Sequence, residues 1–227
     1  SAITTIKRYL GFLWKEIDKS DELKENIKYS DFYDLFEKVS AKGIPCAKEG
    51  TWDSYCATPE HANIIWNAMD NEARLFLDNY MRMGNYICIP GNTYAVTAKI
   101  FVSFNTARSN MGKWDTVDTL LWKIYQGFKE NNIEYIEKIF TVKSKELAKG
   151  FQKCNKDFSI TSWDDFIKVH CLQDFIEDGK PISLKSGKPI ELDIRDEYDA
   201  MPNSYDESVV FFKTLSDLIG YRSKRIW

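Results

Sequence analysis

The densest run of residues able to do chemistry lies between positions 82 and 118. Arg82 and Asn85 flank Gly84, Asn105, Arg108, Ser109 and Asn110 follow an apolar stretch, and Asp115 and Asp118 open a helical pattern. Arginine offers a rigid fork of donors suited to phosphate or carboxylate. A helix start adds free backbone N–H groups, and an aspartate beside them could serve as a general base or a magnesium ligand. Arg82, Asn85, Asn105, Arg108, Asp115 and Asp118 therefore form the candidate polar site. The same residues also have a plainer use. Asp115 has the type and place of an N-cap, and Asp118 at the third helical position complements the helix dipole, each worth about 0.5–1 kcal/mol. Arg108 can pin the loop by pairing with either acid. This clasp is favoured over catalysis, and no catalytic residue is assigned.

The remaining constellations are weaker. Lys185-Ser186-Gly187-Lys188 has part of a phosphate-binding loop but lacks its first glycine and its closing Ser/Thr. No G-x-G-x-x-G, H-E-x-x-H or G-x-S-x-G pattern occurs. The histidines are His61, in the first turn of a predicted helix, and His170, in the middle of one. Cys88 or Cys46 paired with His61 would make a nucleophile and base, but burial of small thiols is the commoner use of cysteine. The five cysteines, Cys46, Cys56, Cys88, Cys154 and Cys171, are odd in number and show no C-x-x-C. That predicts free thiols, no metal site and a cytoplasmic location. The segment Arg222–Trp227 mixes cations with a tryptophan, as a nucleic-acid contact does. It reads more simply as a solvated last helical turn, so no nucleic-acid partner is expected.

The elements that must position these residues follow from periodicity. Tyr86–Ile89 and Lys99–Phe104 are strand candidates separated by Pro90-Gly91-Asn92. Paired antiparallel, they would bring Asn85 and the 105–113 loop to one end of a small sheet. Val117, Leu120, Leu121, Ile124, Tyr125 and Phe128 mark the helix after Asp115. Upstream, apolar residues from Ile3 to Ile17 define a first helix and Phe32 to Val39 a second. Thr58-Pro59-Glu60 starts a third that runs to about Met83, where Gly84 ends it. Downstream, helices are expected near residues 133–140 and 145–154. Ser162–Asp165 resembles a capping box and opens a helix through Ile176, ended by Gly179. Pro181–Leu192 reads as a small hairpin, Asp193–Met201 as irregular, and Ser204-x-x-Glu207 as the start of the last helix.

Composition agrees with this layout. The chain has 227 residues, 44% apolar and 29% charged, with a net charge of −3. These values exclude a disordered, collagen-like or membrane-spanning chain, and no basic field draws in nucleic acid or membrane. The opening Ser1-Ala2-Ile3-Thr4 does not read as a secretory leader. The expected fold is mainly α (α+β), a single helical domain over 1–227 with a small antiparallel β element and no cofactor. Aromatic residues stand out at 15%.

Several blocks resemble an uncharacterised bacterial protein family, a domain of unknown function. They are Met81–Asn92, Phe104–Arg108, Trp114–Leu120, His170–Phe175 and Arg222–Ile226, so the resemblance covers roughly residues 80–227; Ser109 stands where that family has glycine. The resemblance implies one structural unit from Arg82 to Asp118 and no particular activity. Two functions follow. The first is a binding or interaction module without catalysis, with a protein partner. The alternative is an enzyme or sensor of a phosphate-bearing small molecule or nucleic acid using Asn105, Arg108, Asp115 and Asp118.

Overall fold

Burial of apolar helix faces organises the chain, as the computed structural model shows. The structure describes residues 2–16, 67–79, 82–89, 96–99, 116–132, 152–153, 155–196 and 198–227. It is mainly helical with small antiparallel β elements. The helices are α1 (Ala2–Glu16), α2 (Asn71–Asn79), α3 (Val117–Lys129), α4 (Trp163–Val169) and α5 (Tyr205–Ile226). The strands are β1 (Tyr86–Ile89), β2 (Val96–Lys99), β3 (Ile176–Glu177) and β4 (Lys180–Pro181). No helix among the described residues is long and apolar enough to cross a membrane.

The chain divides into two compact units: Ala2–Met81 with Pro202–Asp217, and Arg82–Met201 with Leu218–Trp227. In the first, Tyr9, Leu10 and Leu13 of α1 are buried, as are Ala73 and Phe76 of α2 and Phe211, Phe212 and Leu215 of α5. Phe212 meets Tyr9 edge-on at 5.3 Å and Phe76 at 5.2 Å. The helix expected to run on to Met83 is broken. It stops at Met69–Asp70, restarts at Asn71 and ends at Asn79. The cause lies in Asp70, whose carbonyl accepts the Arg74 N–H at 3.1 Å to begin α2 while its side chain turns to other partners.

In the second unit α3 is the central element. Val117, Leu121 and Ile124 are fully buried, and Trp122 is nearly so. Aromatic rings continue the core: Trp163 meets Tyr125 at 5.4 Å and stacks on Phe166 at 6.1 Å. α4 begins at the expected capping box, with Ser162 accepting from the Asp165 N–H and Asp165 accepting from the Ser162 N–H. It is shorter than its pattern suggests, because His170 is its C-cap rather than a mid-helix residue and Cys171 turns with φ 52°. A 3-10 turn, Gln173–Phe175, follows.

Asp178-Gly179 then closes the β3–β4 hairpin with both residues at positive φ, 51° and 74°. This is the two-residue turn that Asp-Gly favours, because only that backbone twist matches the strands. The expected hairpin over 181–192 is a single antiparallel bridge, Ile182 to Pro189.

β1 and β2 pair antiparallel, Tyr86 opposite Lys99 and Ile89 opposite Val96. The second strand is described at Val96–Lys99; of the expected Lys99–Phe104 only Lys99 falls among the described residues, and 100–104 lie outside them. Gly84 does not end a helix. It sits in the 3-10 turn Met83–Asn85, where a Cβ would stand 2.1 Å from the Ile219 carbonyl oxygen and 2.5 Å from Ser223 Oγ. Its requirement is close approach to α5.

Candidate functional site

Of the six candidate residues, Arg82, Asn85 and Asp118 fall among the described residues; Asn105, Arg108 and Asp115 lie outside them. Arg82 is exposed and Asn85 is fully buried. Asn85 follows Gly84, whose N–H donates to Ser223 Oγ at 2.9 Å. The Gly84 carbonyl accepts from Arg222 Nη1 at 2.8 Å, and Arg222 Nε and Nη2 donate to the His170 carbonyl at 3.0 and 2.9 Å. Arg222, only 4% exposed, therefore binds backbone carbonyls at the last turns of α5. That corrects the expectation of a solvated basic turn at this residue. Its neighbour Arg225 forms a two-pronged contact with Asp174, at 3.0 and 2.8 Å. The His170 ring, buried against Phe166 at 4.6 Å, has its pKa pushed down to about 4 by burial and then by the Arg222 charge.

Asp118 is the centre of a second cluster. The N-cap of α3 is Thr116, so Asp118 stands at the second helical position, not the third. Its carboxylate does not merely face the helix dipole. The Thr119 N–H donates to Oδ1 at 3.0 Å, and the Thr116 hydroxyl donates to the same oxygen. On Oδ2 it receives the Leu184 N–H at 2.9 Å and the Tyr198 hydroxyl at 2.6 Å. Asp118 is 1% exposed. Burial pushes its carboxyl above the ordinary carboxylate range, and the Thr116 and Tyr198 hydrogen bonds oppose that rise. Among the described residues no cation pairs with it.

Tyr198 Oη lies 2.6 Å from the carboxylate and 2.8 Å from Ser183 Oγ. A phenol has one proton, and a carboxylate only accepts. The phenol is therefore the donor of this pair of contacts, to Asp118 Oδ2 as the nearer acceptor and to Ser183 Oγ as the other. By the same logic Thr119 donates to the Thr116 hydroxyl, 3.1 Å away. Burial and the adjacent carboxylate push the Tyr198 phenol far up, so it stays protonated.

α3 holds the rest of this segment through a stripe at four-residue spacing. Below Asp118, Trp122 Nε1 donates to the Asp196 carbonyl at 3.2 Å, and Gln126 Nε2 donates to the carbonyls of Ile194 and Asp196. The segment read as acidic and irregular is thus fixed by side chains on one helix.

No family model, no curated protein and no solved structure matches the chain. The chemistry of the site must then be read from its own atoms. With four donors directed at it, Asp118 has no lone pair left facing open solvent for a proton or a cation, and no cluster of metal-ligating residues occurs among the described residues. Sequence reasoning missed Tyr198, Ser183 and the Leu184 N–H. The signal that existed was local: Thr116 and Thr119 bracket Asp118, an acid set among hydroxyls at a helix start. Tyr198 comes from 80 residues away, and no spacing rule reaches that far.

Proposed function

We propose that the chain is a cytosolic bacterial binding module that engages a protein partner and has no catalysis of its own. The observation that carries this reading is the saturation of Asp118. The residue best placed to act as a base is fully engaged by Thr116, Thr119, Leu184 and Tyr198. An aspartate held in this way supports the fold. The free thiol of Cys171 accords with a reducing compartment.

The surface supports a partner at the last turns of α5. Tyr221 is 52% exposed and Ile226 39%, Trp227 is also exposed, and Lys224 stands beside them. Tyrosine and tryptophan are enriched at interface centres. Trp122 and Trp163, by contrast, are buried and belong to the core. The test is parallel affinity capture with the wild type and a Tyr221→Ala/Ile226→Ala variant of unchanged melting temperature. A protein retained by the first and lost by the second is the expected result. Thermal stabilisation by a nucleotide with magnesium, abolished by Arg82→Ala, would favour the enzyme or sensor reading instead.

A further inference from the structure

A cavity of about 340 Å³ opens beside the Asp118 network. This is the lower end of the size range of small-ligand sites. Pro189, Ile190, Leu192 and Tyr198 give it an apolar part, and Ser183, Lys185, Ser186, Glu191 and Asp199 a polar one. The polar groups are unevenly satisfied. Glu191 is exposed and paired with Lys180. Asp199 is exposed too, and its Oδ1 accepts the Met201 N–H at 3.1 Å. Lys185 differs from both. Its side chain is only 22% exposed, and its ionic contact, Asp199 Oδ2, stands 4.0 Å from Nζ, beyond hydrogen-bond reach. An ammonium has three protons to donate, and among the described residues no acceptor takes one from Lys185. The two serines also hold donors in reserve. Ser183 Oγ accepts from the Tyr198 hydroxyl at 2.8 Å, and Ser186 Oγ accepts the Lys188 N–H at 3.3 Å. Each therefore keeps its own hydroxyl proton to give.

We propose that this cavity binds a small monocarboxylate with an apolar body of about one ring, its carboxylate on Lys185 and the hydroxyls of Ser183 and Ser186. An ammonium with two hydroxyls is a set of donors seeking an acceptor, and hydrogen bonds between charged groups are the strong ones. The apolar body lies against Pro189, Ile190 and Leu192. Glu191 and Asp199 limit the charge the cavity accepts. A doubly charged phosphate meets two acids against the one cation Lys185, since Lys180 is already taken by Glu191, so a single negative charge is preferred. The site is a separate matter from the partner surface on α5, and either can fail alone.

Phenylacetate and phenylacetamide test the proposal, because they have nearly the same shape and differ in charge. Titrated into the full chain and followed by calorimetry or by shifts of amide signals over 183–199, phenylacetate is expected to bind at least about tenfold more tightly than the amide, the equivalent of one charge-assisted hydrogen bond. Phenyl phosphate, doubly charged at pH 8, is expected to bind more weakly than phenylacetate. Lys185→Met keeps the length of the stem and removes the charge, and is expected to bring phenylacetate down to the affinity of the amide. Asp199→Asn retains an oxygen for the Met201 N–H and removes the acid that competes for Lys185, and is expected to tighten phenylacetate severalfold. That gain cannot come from a damaged fold, and the ligand comparison needs no variant at all. Equal binding of acid and amide, a preference that survives Lys185→Met, weaker phenylacetate binding in Asp199→Asn, tighter binding of phenyl phosphate, or no binding would each overturn it.

Discussion

Each unit of the molecule contains an aspartate that receives tyrosine hydroxyls, and the two are built differently. Asp70, in the unit of α1 and α2, accepts from Tyr9 and Tyr205, each at 2.6 Å and both on Oδ2. Its own backbone N–H donates to Tyr9 Oη at 2.7 Å, and the two rings lie 6.1 Å apart, nearly parallel. Asp70 is only partly buried. Asp118, in the unit of α3 and α4, is dry and receives two backbone N–H groups besides its hydroxyls. The difference follows from solvation. Where water reaches a carboxylate, rotatable hydroxyls suffice, because water satisfies the other lone pairs. Where it does not, every lone pair needs a protein donor, and a buried ion left short costs several kcal/mol.

Removing each acid is the sharpest way to break this comparison. Asp118→Ala leaves two N–H groups and two hydroxyls buried without an acceptor, and a loss of roughly 3–5 kcal/mol in urea unfolding is expected. Asp70→Ala opens the half-buried Tyr205 hydroxyl to water and leaves the buried Tyr9 short of one acceptor, and is expected to cost about 1–2 kcal/mol. Equal losses would mean that burial does not set the difference.

Acid should separate the units in the same order. His170 belongs to the Asp118 unit, and its folded pKa of about 4 lies below the unfolded 6.5. Between those values the unfolded chain binds more protons, so stability is complete above pH 6.5 and falls as pH drops toward 4, by up to about 3 kcal/mol. Asp118, with its raised pKa, works in the opposite sense and reduces the net loss. Hydrogen exchange is expected to rise in α3 and α4 before α1 and α2. His170→Gln should flatten that response, and an acid response unchanged by it would discount His170.

The hydroxyl donors give a smaller contrast. Tyr198→Phe is expected to cost about 1–3 kcal/mol and Tyr205→Phe about 0.5–1.5 kcal/mol, since water can replace only the second. Chemical denaturation of the two variants side by side measures it, and the reverse order would contradict the solvation account.

What the sequence revealed follows the range of the interactions. The capping box at Ser162, the apolar face of α3 and the antiparallel β1–β2 pair are set by neighbours a few residues apart, and all were legible. The Asp178-Gly179 turn was equally local but was read as a helix end, because the apolar residues before it fit a helical period. The site was hardly legible at all. The stripe Asp118, Trp122 and Gln126 sits on a helix buried nearly all round, so its polar members looked like interruptions of an apolar face. Their partners, 184, 194, 196 and 198, lie in segments without periodicity. Gly84 carried a true signal for the wrong reason, since a glycine required by contact with Ile219 looks the same in sequence as one that caps a helix.

The phenols that serve these two aspartates also make the chain's behaviour in alkali legible in the ultraviolet. Burial and the neighbouring carboxylates hold Tyr9, Tyr198 and Tyr205 protonated well above the pH at which a free tyrosine ionises. A ring that keeps its proton does not develop the ultraviolet band of tyrosinate near 295 nm. As base is added, these three should stay dark until the fold gives way and then appear together. The sign is fixed, because above about pH 10 the unfolded chain sheds protons that the folded one retains, so stability can only decline as alkali rises. The spectrum would therefore record unfolding from within the two clusters, with no label attached.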